Sequence, residues 1–288
     1  RDRFFMNLAL NLARERIGLT GENPSVGCVI VKNNELVSLG QTGINGRPHA
    51  EHNAIKSSKF NLKGSKLYVT LEPCTHYGKT PPCSNLIIKS KIKEVVFSIE
   101  DVDKRTQAKS FKVFKNKKIN VRRGLLKRQA NLVYRSYIYN KNKELPYVTG
   151  KLAVSKDNFI YSKNKKRITN SYSDNISQLL RYKNDAILIS SKTLNIDNPR
   201  LDCRIQGLTN YSPKRVILDK NLSIRLSSYI YQTSNKNNTY IIYNNGTKEK
   251  INQLKKKGVK LIKLEIKTKG FFDLRIVLKK LYTLGCRN

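Results

Sequence analysis

Two thiols and an imidazole, set close together, constrain this chain more than any other feature. The sequence reads His49-Ala50-Glu51, and further on Pro73-Cys74-Thr75-His76-Tyr77-Gly78-Lys79-Thr80-Pro81-Pro82-Cys83. One imidazole nitrogen and two thiolates hold Zn²⁺ and leave its fourth position open to water, which is the plan of a catalytic zinc site rather than a structural one. Glu51 follows the His by two residues. From the start of a helix its carboxylate reaches a metal-bound water without ligating the metal, and can shuttle that water's protons. A His or Cys taken singly is more often a packing residue. Here His49, Cys74 and Cys83 coincide with Glu51 at the required offset and with Pro73 before the first Cys.

H-x-E followed by P-C…C is the signature of zinc-dependent deaminases of nucleobases. In many of them two residues separate the cysteines; here eight do, among them His76, Gly78, Lys79 and two prolines. The longer loop keeps the ligands and adds a basic rim, and such a rim suits a phosphate on a small substrate. His76 and Lys79 are therefore candidate substrate-binding residues. The segment Glu72 to Cys83 resembles the deaminase domain of the bifunctional riboflavin-biosynthesis deaminase–reductases, the RibD type. Asn23-Pro24-Ser25-Val26-Gly27 matches the Asn-Pro-x-Val-Gly of that family. The resemblance implies that Asn23 contacts the pyrimidine ring, and that residues 1–144 form a three-layer αβα domain with the cytidine-deaminase-like fold.

Local patterning agrees with an α/β domain. Residues 4–16 place apolar groups at helical spacing. Cys28–Lys32 and Leu36–Leu39 read as a hairpin across Asn33-Asn34. A helix is expected over residues 49–58, a strand over Leu67–Leu71, a helix through Asn85–Ser90 and a strand over Glu94–Ile99. Both metal-bearing segments then lie at helix N-termini, whose dipole favours thiolate over thiol. A short basic helix over 111–118, a strand over Ile119–Val121 and a helix over 125–140 complete the domain. Where the family has Asp-Pro-Asn-Pro and a Gly-x-Gly, this chain keeps Asp101 but reads Val102-Asp103-Lys104 and Ala108-Lys109-Ser110.

A linker is expected at Asn140–Glu144, and a strand opening a second unit at Pro146–Ser155. A helix over Ser173–Tyr182, a buried strand Ala186–Ile189, strands near Val216–Asp219 and Tyr240–Tyr243, and helices over 248–257 and 271–282 follow. Pro146-Tyr147-Val148-x-x-Lys151 and the run Thr193, Asp197, Pro199, Leu201, Arg204 match the family's reductase domain. The resemblance implies a dihydrofolate-reductase-like α/β domain over residues 145–288 that binds NADPH. It assigns Ala153, Thr193 and Asp197 to the cofactor, and Arg181, Leu201 and Arg204 to the substrate. Two arginines can fork onto a ribose phosphate, which makes that assignment chemically sensible. The family's Ser-x-Trp is replaced here by Lys165-Lys166-Arg167, and the chain stops at Asn288 where the family runs on into a strand and a Glu-Gly-Gly motif. The reductase domain is therefore expected to be incomplete at its C-terminus. Arg1 in place of Met leads us to expect that the initiator is missing.

At 288 residues the chain has room for two cores. Its net charge of +37 raises nucleic-acid binding, as in a deaminase of tRNA adenosine. The positive residues are spread over both halves, Lys outnumbers Arg, and Asn, Ile and Tyr abound. That is the composition of an A/T-rich genome, so a phosphorylated pyrimidine, rather than nucleic acid, is the expected partner. Five cysteines, an odd number with two given to the metal, argue against a disulfide framework. Without a signal peptide or an apolar run of about 18 residues, a soluble cytoplasmic enzyme is expected, with a homo-oligomer left open. The expected activity is deamination of 2,5-diamino-6-ribosylamino-4(3H)-pyrimidinone 5′-phosphate by zinc-activated water, then reduction of the ribosyl group to ribityl.

Overall fold

The computed structural model describes residues 1–160, 168–266 and 270–288. They form two units, Arg1–Tyr147 with Arg287, and Val148–Cys286 with Asn288. In the first, chain order is α1 (Asp2–Glu15), β1 (Gly27–Lys32), β2 (Glu35–Gln41), α2 (Ala50–Ser57), β3 (Lys66–Leu71), α3 (Cys83–Lys89), β4 (Glu94–Ile99), α4 (Lys109–Asn116), β5 (Asn120–Arg123) and α5 (Lys127–Lys143). The sheet order is β2-β1-β3-β4-β5, antiparallel on the β2-β1-β3 side and parallel through β3-β4-β5. Helices α1 and α5 pack together over one face of this sheet, and α2, α3 and α4 follow one another over the other. The result is the expected three-layer αβα sandwich.

Sequence period explains the layers. Phe5, Met6, Ala9, Leu10 and Ala13 lie on one stripe of α1 and are buried. Strands β1, β3 and β4 are covered on both faces, so they read as near-continuous apolar runs, with Val29, Leu67, Val69, Val95 and Val96 fully buried. Helix α5 runs on through the expected linker. The side chain of Asn140 donates to the Leu145 carbonyl at 2.8 Å, and Glu144 caps the end in the left-handed region at φ 54°.

Asp2, in the first turn of α1, is tied to β3 and β5. Tyr68 and Arg122 donate hydrogen bonds to its carboxylate, and the Lys66 ammonium lies 3.6 Å away. The Tyr68 hydroxyl, then Arg122 and Lys66, hold its carboxyl down at about 2, from 3.8. An unfolded carboxyl takes up its proton before the folded one does. The contribution to stability is therefore full above about 3.8 and is lost as pH falls through about 2. With a third of the side chain exposed, the effect is screened. Asp2→Asn is expected to cost about 1 kcal/mol at pH 7 in urea denaturation and almost nothing near pH 2. An equal cost at both pH values would show that packing, not charge, is what Asp2 contributes.

The second unit contains α6 (Ser171–Tyr182), β6 (Ala186–Ser190), α7 (Ser191–Asp197), β7 (Lys214–Leu218), α8 (Tyr229–Gln232), β8 (Thr239–Tyr243), α9 (Lys248–Lys256), β9 (Lys260–Lys263) and α10 (Leu274–Thr283). Its strands pair in the order β6-β7-β8-β9, all parallel. Alternation along the strands feeds two cores. Ile217, Ile241 and Tyr243 join Leu194 and Leu254 on one face, while Val216, Tyr240 and Ile242 join Val277 and Leu281 on the other.

Three expectations differ from what forms here. No strand opens at Pro146–Ser155. That backbone has no ladder among the described strands, and Val148, Leu152 and Val154 are exposed. Strand β6 is not buried but lies at a sheet edge, with Leu188 37% exposed. Helix α7, helix α8 and strand β9 are additional elements. Lys165-Lys166-Arg167 lie outside the described residues. Among the described residues no helix is long and apolar enough to cross a membrane.

Candidate metal centre and its rim

The ends of two elements build the centre. His49 is the N-cap residue of α2, in extended conformation at φ −68° and ψ 158°, so its ring projects from the helix end instead of lying along the barrel. Strand β3 delivers Glu72, Pro73 and Cys74. The chain then loops back so that Cys83 is the first residue of α3, with Pro82 as its N-cap. Proline suits the start of a helix because its fixed φ is pre-organised and its missing N–H is not needed there. The loop is pinned at its neck. Ser84 N–H donates to the Cys74 carbonyl at 3.1 Å, and Cys83 N–H donates to Cys74 Sγ at 3.3 Å.

His49 Nδ1 lies 3.6 Å from Cys74 Sγ and 3.4 Å from Cys83 Sγ, and the three ligand atoms all fall within 4.8 Å of one another. A tetrahedral zinc with bonds of about 2.0 Å to nitrogen and 2.3 Å to sulfur sets N···S near 3.5 Å. The donor set therefore fits Zn²⁺ both in chemistry and in spacing. Electrostatics point the same way. Bonds from Cys83, from His49 and from the Cys83 N–H hold the Cys74 thiol down at about 4, which favours the thiolate. Its partner Cys83 is pushed up, first by that neighbouring sulfur and then by burial. His49 is raised, chiefly by its bond to Cys74.

Glu51 lies in the first turn of α2 and is buried, 4% exposed. Burial pushes its carboxyl up to about 7, against the pull of the His49 charge. The carboxyl also has Cys83 within hydrogen-bond reach.

The remaining residues singled out from the sequence fall in three places. Asn23 packs against the turn that leads to His49: a Cβ on Gly46 would stand 2.2 Å from its Nδ2. His76 and Lys79 sit on the Cys74–Cys83 loop; His76 Nδ1 lies 3.1 Å from Thr106 Oγ1, and Lys79 is exposed. In the second unit Arg181, Leu201 and Arg204 converge on Asp202. Arg181 Nη1 donates to its carbonyl, and Arg204 Nη1 to its carboxylate, each at 2.9 Å. Leu201 itself is core, 5% exposed and left-handed at φ 60°, so it can offer a ligand only its backbone. Thr193 and Asp197 lie one turn apart on α7, both exposed, and Ser190 caps that helix through the Thr193 N–H. Ala153 lies outside any helix or strand.

Sequence reasoning missed the groups that hold these in place. The buried Glu72 carboxylate accepts from the N–H groups of Asp101, Ala108 and Ser110, at 3.2, 3.0 and 3.0 Å, and from Ser110 Oγ at 2.8 Å. It thereby ties the end of β3, just before Cys74, to the segment that carries Thr106. Ala108 stands at φ 58°, so this chain reaches the left-handed geometry with alanine at the start of Ala108-Lys109-Ser110. A carboxylate closing an apolar strand was the available signal for Glu72. Arg47 was missed as well; its Nη1 donates to Thr80 Oγ1 at 2.6 Å.

Comparison with known proteins places both units. Residues 1–99 match the cytidine and deoxycytidylate deaminase zinc-binding region, and residues 146–288 match the RibD C-terminal domain. The riboflavin biosynthesis protein RibD of Aquifex aeolicus is 37% identical over 98% of this chain and 78% of its own length. That of Bacillus amyloliquefaciens is 39% identical over 77% of this chain and 60% of its own. The crystal structure of a diaminohydroxyphosphoribosylaminopyrimidine deaminase/5-amino-6-(5-phosphoribosylamino)uracil reductase from Thermotoga maritima superposes with a TM-score of 0.85 at 29% identity, covering 100% of this chain and 79% of that one. RibD of Acinetobacter baumannii gives the same TM-score and identity over 99% and 78%. With a zinc site of the deaminase type in its first unit and a reductase domain in its second, the chain belongs to the RibD family of riboflavin biosynthesis proteins.

Proposed function

We propose that the chain carries two conversions of riboflavin biosynthesis. Residues 1–144 deaminate 2,5-diamino-6-ribosylamino-4(3H)-pyrimidinone 5′-phosphate, and residues 145–288 reduce the ribosyl group of the product to ribityl with NADPH. The observation that carries the reading is the His49, Cys74, Cys83 cluster within 4.8 Å, with the buried Glu51 carboxyl beside it.

When bound, zinc supplies Lewis acidity that makes a water a competent nucleophile near neutral pH. Glu51 accepts a proton from the attacking water and delivers it toward the departing amine. The ring carbon gains oxygen, its C–N bond breaks, and ammonia leaves. Asn23 orients the pyrimidine ring, and His76 and Lys79 face the phosphate.

In the reductase half, NADPH supplies hydride. The fit of this half rests on its parallel sheet and on α7, which follows β6 without a break; Ser190 at the end of β6 and Thr193 on α7 are exposed and bring their hydroxyls within 3.2 Å of each other. Open parallel sheets bind ligands at the carboxyl ends of their strands. Asn195, on the same helix, keeps its Oδ1 buried with no hydrogen-bond partner among the described residues. Ala153, Thr193 and Asp197 would hold the cofactor, and Arg181, Leu201 and Arg204 the sugar phosphate.

The tRNA deaminase alternative gains nothing here, because a nucleic-acid deaminase has no use for the RibD C-terminal domain over residues 146–288. The test is to incubate the zinc-loaded protein with the diaminopyrimidine ribosyl phosphate, with and without NADPH, and weigh the product. Exchange of an NH for oxygen marks the deaminase, and two further hydrogens with NADPH mark the reductase. Unchanged substrate, with zinc verified in the protein, would refute the proposal.

A further inference from the structure

Arg47 is a half-buried cation two residues before a metal ligand. Among the described residues no carboxylate pairs with it, although its charge is felt at His49. Its one hydrogen bond is to the neutral hydroxyl of Thr80, at 2.6 Å. A guanidinium presents five donors in a planar fork, so most of this one's capacity is unused. An anion beside it would take up that unused capacity.

Gly78 shows where that anion fits. A Cβ on Gly78 would stand 3.5 Å from Arg47 Nη2 and 4.0 Å from His76 Nε2, the only heavy atoms within 4 Å among the described residues once Gly78 and its two chain neighbours are set aside. The two donors therefore flank one small space. His76 Nδ1 is engaged by Thr106 Oγ1 at 3.1 Å, which leaves Nε2 as the free nitrogen; if the hydroxyl donates, Nε2 carries the proton. Donors on two sides of one space can share a phosphate through different oxygens. The fold does not demand glycine here. Its φ lies outside the left-handed region, and an added methyl would meet only ordinary van der Waals contact.

From this geometry we infer that Arg47 and His76 clamp the phosphate of the deaminase substrate across the space kept open by Gly78, with Thr80 holding the guanidinium in place. The inference rests on the deaminase reading above. It adds a specificity-determining residue that the metal signature does not contain. It also gives a use to the length of the Cys74–Cys83 loop, which carries Thr80 and Gly78 to Arg47.

The test compares kcat/KM for the phosphorylated diaminopyrimidine with that for the same compound after phosphatase treatment, in wild type, Arg47→Ala, Arg47→Lys and Gly78→Ala, each checked for zinc content. Arg47→Ala is expected to lower the preference for the phosphorylated substrate by about 30-fold, and Arg47→Lys to restore part of it. Gly78→Ala, which leaves both donors present, should lower the same preference by occupying the space. Equal losses on both substrates would mean that Arg47 only supports the loop, and an unchanged preference would mean that it binds nothing; either overturns the inference. If wild type leaves both compounds unchanged, the deaminase reading itself fails and takes the inference with it.

Discussion

Glu51→Gln is expected to lower the deaminase kcat by about three orders of magnitude while zinc stays bound. Glutamine keeps the shape and one carbonyl oxygen but can neither take up nor release the proton that must pass from water to amine. The carboxylate is not part of the cluster that could hold the metal, His49, Cys74 and Cys83, so metal content should match wild type. Nor should the fold suffer. Glu51 is 4% exposed, and burial pushes its carboxyl up to about 7. Glutamine keeps the side-chain volume, so the melting temperature is expected to hold. Steady-state kinetics, metal analysis and a thermal melt on one preparation decide the matter. A kcat within tenfold of wild type would remove Glu51 from the mechanism; loss of zinc would mean that it supports the metal instead.

What the sequence made legible was chemistry announced by residue type and spacing. Three ligands and a carboxyl at fixed offsets can be read in one dimension because His49 and Cys83 each sit where a helix begins, and β3 runs straight to Cys74. The layers of the first unit were legible for a related reason: buried parallel strands are apolar runs, and α1 has one apolar stripe. Groups whose role is set by tertiary contact stayed hidden. Nothing in the spacing of Glu72 says that its carboxylate will collect three backbone N–H groups from residues 101–110. Nothing near Arg47 in sequence says that it will meet Thr80. The second unit was harder for a different reason. Strand β9 is Lys260-Leu261-Ile262-Lys263, too short and too charged to stand out, and α7 was hidden inside a motif read for its ligands. The Pro146–Ser155 stretch has β-like composition, but a strand exists only where another backbone pairs with it.

Gly40→Ala should unfold the first unit or loosen its metal, because Gly40 is where β2 touches the helix that carries His49 and Glu51. A Cβ at position 40 would stand 2.2 Å from the Ala50 carbonyl oxygen and 2.4 Å from the Ala54 nitrogen. Both are backbone atoms of α2, so no side chain can swing away and the helix must shift as a body. Overpacking of this kind is expected to cost about 3 kcal/mol. Gly27 makes the comparison that isolates the effect. It lies on β1, and its added Cβ would meet the Ala9 carbonyl oxygen of α1 at 1.9 Å. Helix α1 lies on the opposite face of the sheet and holds no ligand. Gly27→Ala should therefore destabilise as severely, yet leave the zinc affinity of the molecules that do fold near wild type. Gly40→Ala should lose stability and zinc affinity together, because moving α2 moves His49 relative to Cys74 and Cys83, which are held by β3 and α3. Gly150→Ala, with nothing within 4 Å of the added methyl, serves as the neutral control. Urea denaturation gives the stability, and competition with a chromogenic chelator gives the zinc affinity. If Gly40→Ala binds zinc as tightly as wild type, the seat of α2 on β2 is not what places His49, and the pinned neck of the Cys74–Cys83 loop must position the centre alone.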